Sequence, residues 1–585
     1  MRSQEAGPLF VLCALAAAGI FSAHVVAGQA SSEKEIAVQE VQSQFKLQVQ
    51  RNMVLVRVVV RDSNGNPVPN LRKEDFTLFD NSKPQEIEQF AVESSHAART
   101  AAPVPPANEA EAEAPSAREA AKTIARNYRA LYFDDVQMKV EDVAHARDAA
   151  DRYLAKTLTP EDRVGVFTTS GQGNLDFTDD REKLHEALSR LQPRSRISTI
   201  PCPDIGEYQA YLIARQHDEN ATEIAIQEST ACAGGVCVRP EDITPQELAS
   251  VQSEAAQLWN QWETQSEGFL RGLEELIRRV SILPGQRSVI LLSSGFLFYD
   301  LEWQIGQVTD RALRSGVVVN ALDPRGLYTL TPGGESGHSA TFISHCPNFM
   351  AQKDVLIHNG LSLDEQVLRG FAEDTGGQFF HNSNDLDQGF RQVGTLSEVY
   401  YVLAFSPRNL RFDGRFHKLK ISLVNPAGFT FQARRGYFAP KASEDAATRA
   451  KEEIQQAAYS LDDLKELSID VHTQYYKLSA AEARLAVLTH LDMSSVRFRL
   501  EKDLHVNSLT FLTVVFDRDG KCVVAKNKQV DLKLRDATIA RLAQTGITVK
   551  TEVDLKPGTY ALRQIVRDSE AGQLSALSRT VEIPY

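Results

Sequence analysis

Beyond residue 30 this sequence has no apolar run long enough to cross a bilayer, no stripe of basic residues and no common catalytic motif. The first absence leaves no transmembrane span in the mature chain. The second, with a formal net charge of -13, argues against nucleic acid as a partner. There is no Gly-x-Ser-x-Gly elbow, no Walker loop and no dinucleotide fingerprint. Gly171-Gln-Gly173 follows a strand pattern, but such a pair alone reads as a turn. His185, in "HEALS", lacks the second histidine of a zinc-protease helix. "LLSSGF" has a strand–turn–helix context, yet neither Ser293 nor Ser294 has an identifiable histidine or acid partner.

What is present begins with an export signal. "PLFVLCALAAAGIF" is an apolar core behind Arg2, and the small residues of "HVVAGQA" follow it. Residues 1–30 therefore read as a signal peptide cleaved after Ala27 or Ala30. Export implies a periplasmic, cell-envelope or secreted protein in an oxidising compartment. Cys202, Cys232, Cys237, Cys346 and Cys522 remain after cleavage. The expected pairs are Cys232–Cys237, within "CAGGVC", and Cys202–Cys346, with Cys522 left as a lone thiol. Zinc held by Cys232, Cys237, His345 and Cys346 is the other use of this set.

Hydrophobic periodicity divides the chain. Val54, Val56, Val58 and Val60 alternate into the turn signal Asn64-Gly65. Residues 46–92 are predicted as N-terminal β-strands, part of a sandwich. Residues 93–124, rich in Ala, Pro and Glu, cannot bury enough apolar surface to order themselves and read as a linker. From residue 125 to 400, buried strands alternate with amphipathic helices, which predicts a parallel sheet covered on both faces. Two inserts, at 194–262 and 325–360, interrupt that alternation. Trp259, Trp262 and Phe269 can share one helix face there and are expected to pack internally. Residues 401–440 return to strand and are expected to complete the first sandwich. Residues 441–479 read as a helical connector, and 480–585 as a C-terminal β-sandwich.

"ALYFDDVQM", "EDRVGVFTTSG", "RSVILLSSGF", "GVVVNALDPRGLY" and "FAEDTGGQFFHNSNDL" resemble, in order, the sheet strands of a von Willebrand factor A domain. The flanks "VLVRVVVRDSNGNPVPNLRKEDFTLFDN" and "YYVLAFSPRNLRFDGRFHKLKISL" are similar to the bacterial (acidobacterial) VWFA-related family. The resemblance covers roughly residues 45–440 and implies a Rossmann-like α/β domain between β-sandwich strands.

It also implies a place to look for a metal. The superfamily binds a hard cation through Asp-x-Ser-x-Ser after the first strand, a distant Thr and an Asp after the fourth strand, all oxygen ligands. Asp134 matches the first position. Val136 and Met138 stand where the two serines belong, and Ser294 stands where the strand-end Asp belongs. Asp134, Asp135 and Ser294 are thus the positions of a degenerate metal-ion-dependent adhesion site (MIDAS), expected to bind Mg²⁺ weakly. Asp134 and Asp135 are otherwise expected as solvated loop carboxylates, as caps of the helix starting near Glu141, or as part of a site remodelled with insert residues. Asp323 falls at another strand end. The expected function is that of an exported, non-catalytic protein-binding or adhesion module without a cofactor. The alternative is a secreted hydrolase whose site is built from the two inserts.

Overall fold

The computed structural model describes residues 35–40, 54–63, 67–94, 123–194, 203–235, 237–327, 347–394, 399–407, 415–426, 428–439, 454–460, 463–479 and 481–584. The expected signal peptide, nearly all of the expected linker, Cys202 and Cys346 lie outside them. The fold is mixed α/β with several antiparallel sheets.

The chain enters through β1 (Ile36–Glu40), then β2 (Val54–Asp62), β3 (Phe76–Asp80), β4 (Lys83–Gln85) and β5 (Gln89–Ser94). The α/β region follows: β6 (Asn127–Phe133), α1 (Val140–Thr157), β7 (Asp162–Thr168), β8 (Leu175–Thr178), α2 (Arg181–Ser189), α3 (Glu207–Tyr211), α4 (Glu219–Cys232) and α5 (Pro245–Ser281). It continues with β9 (Gln286–Leu292), α6 (Glu302–Arg314), β10 (Val317–Leu322), α7 (Pro347–Thr375), β11 (Phe379–Phe380) and α8 (Leu386–Gly394).

These strands form one six-stranded sheet in the order β11-β10-β9-β6-β7-β8. Every pairing in it is parallel except that of the edge strand β8. β6 lies between β7 and β9, and all its side chains but that of half-buried Asn127 are buried. Its pleat sends Leu131 and Phe133 into a core shared with α1, α2 and α8. Ala130 and Tyr132 point the other way, into a core shared with α5, α6 and α7. Two buried faces explain why the strand reads as an unbroken apolar run.

The inserts are not bounded as expected. α5 is one helix of 37 residues, about 55 Å long at 1.5 Å per residue, so no break falls at 262. Its start is fixed by Pro245 and by a reciprocal cap between Thr244 and Glu247. Buried Val251, Ala255, Trp259, Ser266, Phe269 and Leu273 keep a helical period across the expected boundary. The first half of α5 packs with α3 and α4, around Trp259 and partly buried Trp262. The second half, from Phe269, packs on the sheet. α7 likewise runs through the expected end of the second insert at 360.

β12 (Val399–Phe405), β13 (Phe416–Leu423), β14 (Phe429–Ala433) and β15 (Gly436–Phe438) then meet the N-terminal strands. The sheets β14-β2-β12-β5 and β15-β13-β3-β4 enclose a core that includes Val56, Val58, Phe76, Tyr401, Leu403 and Ile421. The alternation of β2 leaves Arg57, Val59 and Arg61 on its other face.

The C-terminal region starts earlier than residue 480. β16 (Leu464–Lys465) and β17 (Ile469–Lys477) lie inside the expected helical connector, of which 454–459 is helical. β17 is mostly exposed, so its outward polar residues hide the alternation that marks a half-buried strand. β18 (Ala483–Leu491), β19 (Arg499–Glu501), β20 (Leu504–Phe516), β21 (Cys522–Leu534), α9 (Asp536–Thr545), β22 (Ile547–Leu555), β23 (Gly558–Asp568) and β24 (Leu574–Ile583) complete it. A seven-stranded sheet containing β20, β21, β23 and β24 packs on the three-stranded sheet β17-β18-β22. β1 adds to its edge beside β21, with Ile36 opposite Leu532.

Candidate functional site

The carboxyl ends of β6, β7, β9 and β10 converge, and each carries a polar residue directly after its last strand position. Asp134 and Asp135 follow β6, Thr169 and Ser170 follow β7, Ser293 follows β9 and Asp323 follows β10. Asp134, Asp135, Ser293 and Asp323 are all buried. The expectation of solvated carboxylates is therefore wrong. Nor do they cap α1, whose N-cap is Lys139 with no side-chain bond.

Burial of a carboxylate is costly unless donors surround it, and donors are supplied. Asp134 Oδ2 accepts from Ser293 Oγ at 2.9 Å. Asp134 Oδ1 accepts from the backbone N–H of Gln137 at 3.2 Å and from Thr169 Oγ1 at 3.3 Å. Asp135 accepts from Ser170 twice, from its N–H at 2.9 Å and its Oγ at 2.5 Å. Asp323 is held by the side chain and backbone of Arg325, with Nη2 to Oδ2 at 2.6 Å and Nε to Oδ1 at 3.0 Å. Even so, burial raises the Asp134 carboxyl to about 6, with the Ser293 and Gln137 bonds opposing and the Asp135 charge adding to the rise.

Two further acids close over this set. Glu207 opens α3 and accepts from the Leu297 N–H at 3.2 Å. Asp364, on α7, stands 4.0 Å from the Arg325 guanidinium. Its Oδ1 has no hydrogen-bond partner. Both pKa values are pushed up, chiefly by burial. The Asp364 charge adds to the rise at Glu207, while Arg325 opposes it at Asp364. α7 also touches the loop after β9 directly: Gly295, at φ +85°, leaves only 2.2 Å between a would-be Cβ and the Asp364 carbonyl oxygen. A side chain there would force the loop off the helix.

Ser294 is not part of the cluster; Ser293 is. Ser294 is half exposed, while Ser293 both donates to Asp134 and accepts from the Gly295 N–H at 3.0 Å. The hydroxyl that joins the cluster thus stands one residue before the position the resemblance implies. Val136 is half-buried and supplies no oxygen, and Met138 is wholly buried in the core under α1. Thr169, Ser170, Glu207 and Asp364 escaped sequence reading. The hydroxyl pair in "FTTSG" was the available signal for the first two; nothing local marks the others.

A divalent cation here would have to displace Ser293, Gln137 and Thr169 from Asp134, Ser170 from Asp135 and Arg325 from Asp323. Among the described residues no group of three or more His, Cys, Asp or Glu is placed to hold a metal.

Cys232, Cys237 and Cys522 are disulfide-bonded, and the described residues contain no free cysteine. Cys522 is thus not the lone thiol expected. The expected Cys202–Cys346 bond falls outside the described residues. Trp259 packs at 5.2 Å from the ring of Tyr211 inside the insert core. Trp303, at the start of α6, is 70% exposed beside the strand-end loop.

No family model and no curated protein matches this chain. Among solved structures it is similar to the conserved hypothetical protein BatB from Bacteroides thetaiotaomicron, at 16% identity and a TM-score of 0.20, over 46% of this chain and 96% of that one. It is also similar to a calcium-binding mutant of Bacteroides uniformis beta-glucuronidase 2, at 10% identity and a TM-score of 0.15, over 32% of this chain and 19% of that one. Likenesses at these TM-scores carry no argument about fold or function.

Proposed function

We propose that the chain is an exported, non-catalytic protein-binding module built on a Rossmann-like domain of von Willebrand factor A type, with a degenerate metal motif. The strand order, with the first strand central and one antiparallel edge, is the 3-2-1-4-5-6 arrangement of doubly wound sheets and supports the fold reading. One observation carries the function. The strand-end carboxylates, where such sheets place ligands, have their oxygens engaged by the chain's own hydroxyls, amides and guanidinium. Oxygens so engaged are poorly placed to complete a cation's shell. A partner is instead met by the surface around them, where Trp303 offers the exposed aromatic anchor that interface hot spots favour.

The test is capture of proteins from a cell-envelope extract by wild type and by Trp303→Ala, each with Mg²⁺ or with EDTA. A saturable partner lost in Trp303→Ala and indifferent to EDTA is expected. Binding that needs Mg²⁺ would sink the metal-independent reading.

A secreted hydrolase remains the second reading, and one observation favours it. Glu207, from the first insert, and Asp364, beyond the second, are carboxyls held above their usual range, as a general acid must be. Turnover of ester or glycoside substrates that disappears in Glu207→Gln would establish it.

A further inference from the structure

The outer strand of the three-stranded C-terminal sheet runs on past the core that covers its first part. β17 is nine residues long and pairs along its whole length with β18. Among the described residues it has no pairing on its other side. Val471 enters the core between the two sheets. Thr473, Tyr475 and Lys477 share its face by strand alternation, yet every residue from His472 onward is exposed. Tyr475 and Tyr476, on opposite faces, are 48% and 50% exposed.

The sequence of this stretch is nonetheless that of a paired strand. Thr473, Tyr475 and Tyr476 are of the β-branched and aromatic types that gain from packing against neighbours on a sheet. The stretch has no proline and no bulge, two of the devices that blunt a free edge.

The phase of the ladder tells which backbone groups are open. The Asp492 N–H donates to the Ser468 carbonyl at 3.0 Å, and the Leu478 N–H to the Glu482 carbonyl at 2.9 Å. In an antiparallel pair, hydrogen-bonded residues alternate with non-bonded ones. The even-numbered residues of β17 therefore bond to β18, and the odd-numbered ones turn their N–H and C=O to the outer edge. Toward the start of the strand the series is closed at Val471, whose N–H donates to the Asp470 carboxylate at 2.8 Å. The open set is Thr473, Tyr475 and Lys477.

We propose that this edge pairs with the same edge of a second copy, antiparallel about a two-fold axis through Tyr475. Such a contact needs a patch complementary to itself, and this register provides one. Tyr475 lies opposite Tyr475 of the second copy and Thr473 opposite its Lys477, so the three open residues satisfy one another. On the other face Gln474 lies opposite Tyr476. No like charges are opposed, whereas an axis through Lys477 would oppose two lysines. An axis nearer the start of the strand would call on the engaged N–H of Val471. The three-stranded sheets of the two copies become one continuous sheet. Three open residues make a small contact, of the class below about 1,200 Å² that associates weakly.

The test is sedimentation of the chain lacking the expected signal peptide, from about 1 to about 200 μM, the span of weak interfaces. Wild type should pass from monomer to dimer and stop there. Tyr475→Pro removes an N–H that β18 does not use, so the fold stands and the dimer should be lost. Thr473→Lys sets like charges opposite Lys477 and should weaken association, while Thr473→Glu should strengthen it. Each effect should be about twofold to thirtyfold, from two cross-strand pairs per dimer. These two exposed changes decide the matter if Tyr475→Pro folds poorly. A chain monomeric throughout overturns the proposal and leaves the edge to an extended segment of another protein. So does a dimer that ignores all three variants, or one lost in Tyr475→Pro whose affinity does not follow the charge at position 473.

Discussion

The two ends of the parallel sheet solve one problem in opposite ways. At the carboxyl ends of the strands, acids are buried and neutral donors surround most of them: Ser293 and Thr169 serve Asp134, and Ser170 serves Asp135. At the amino ends, cations are buried, and acids answer Arg129 and Arg163 while backbone carbonyls of Ser281 and Leu283 accept from Arg287. Arg129, Arg163 and Arg287 sit near the starts of β6, β7 and β9, each no more than 6% exposed. Arg129 pairs with Asp162 at 2.6 Å, and Arg163 reaches Asp179 at 3.0 Å and Asp519, on the β20–β21 turn, at 3.1 Å. Neutral donors leave Asp134 protonatable; ion pairs fix Arg129 and Arg163. The carboxyl end is thus sensitive to pH, while the amino end carries the structural load and the contact with the C-terminal region.

The difference is sharpest where an ion pair is broken. Arg129→Ala strips Asp162 of its guanidinium and Tyr153 of a donor at 2.9 Å. Asp162 keeps Asn127 and Thr159 as donors but loses its ion partner while it stays buried. A loss of about 3–5 kcal/mol is expected by urea denaturation, the usual cost of orphaning a buried charge. A loss under 1 kcal/mol would mean that the amino end is no more rigidly held than the carboxyl end.

Lys353 provides an ion pair on the insert side. It lies on α7, donates to the Asp204 carbonyl at 2.8 Å and pairs with Glu228 of α4. Burial already pushes the Glu228 carboxyl up, so Glu228 can take a proton once its partner is gone. Lys353→Met should therefore cost less than the Arg129 change, about 3 kcal/mol at pH 8, and less at pH 5. Proteolysis focused on α3 and α4 would locate the damage. Uniform cleavage along the chain would show that the insert is not a separate docking unit.

The acidic cluster predicts the direction of the pH dependence. Asp134, Glu207 and Asp364 all have folded pKa values above their unfolded ones. Between the two values the folded chain binds more protons at these groups, so the stability they contribute is full below about pH 4 and is lost as pH rises through the folded values. Glu207→Gln keeps an acceptor for the Leu297 N–H but removes the charge. It should stabilise the chain at pH 8 by on the order of 2 kcal/mol and do little at pH 4. A variant destabilised at pH 8 would mean that ionised Glu207 has a cation partner beyond the donors seen around it.

The sheet was readable because its evidence is local. "ALYFDD" declares a two-faced buried strand followed by polar residues, and the alternation of β2 declares one sandwich face. The long helix α5 was less readable at 262, because its polar stretch "NQWETQSEG" hides apolar positions that remain in phase. The cluster was legible only at Asp134, Asp135 and Asp323, which follow recognisable strands. Glu207 and Asp364 belong to helices far away in sequence, and only the fold brings them over the strand ends.

The serine pair after β9 gives the finest test of the contrast. Ser293 donates to buried Asp134, while half-exposed Ser294 does not take part. Ser293→Ala leaves Asp134 Oδ2 without its donor, at a cost of about 1–2 kcal/mol. That bond favours the ionised form, so its loss should move the Asp134 pKa further above about 6. The deficit should consequently be larger at pH 8, where Asp134 is charged, than at pH 5, where it is mostly protonated. Ser294→Ala should change stability by less than about 0.5 kcal/mol at either pH, as an ordinary surface substitution does. Melts of both variants at the two pH values separate the cases. Equal effects from the two serines, or a Ser293 deficit independent of pH, would show that the bond to Asp134 does not hold the carboxyl end together.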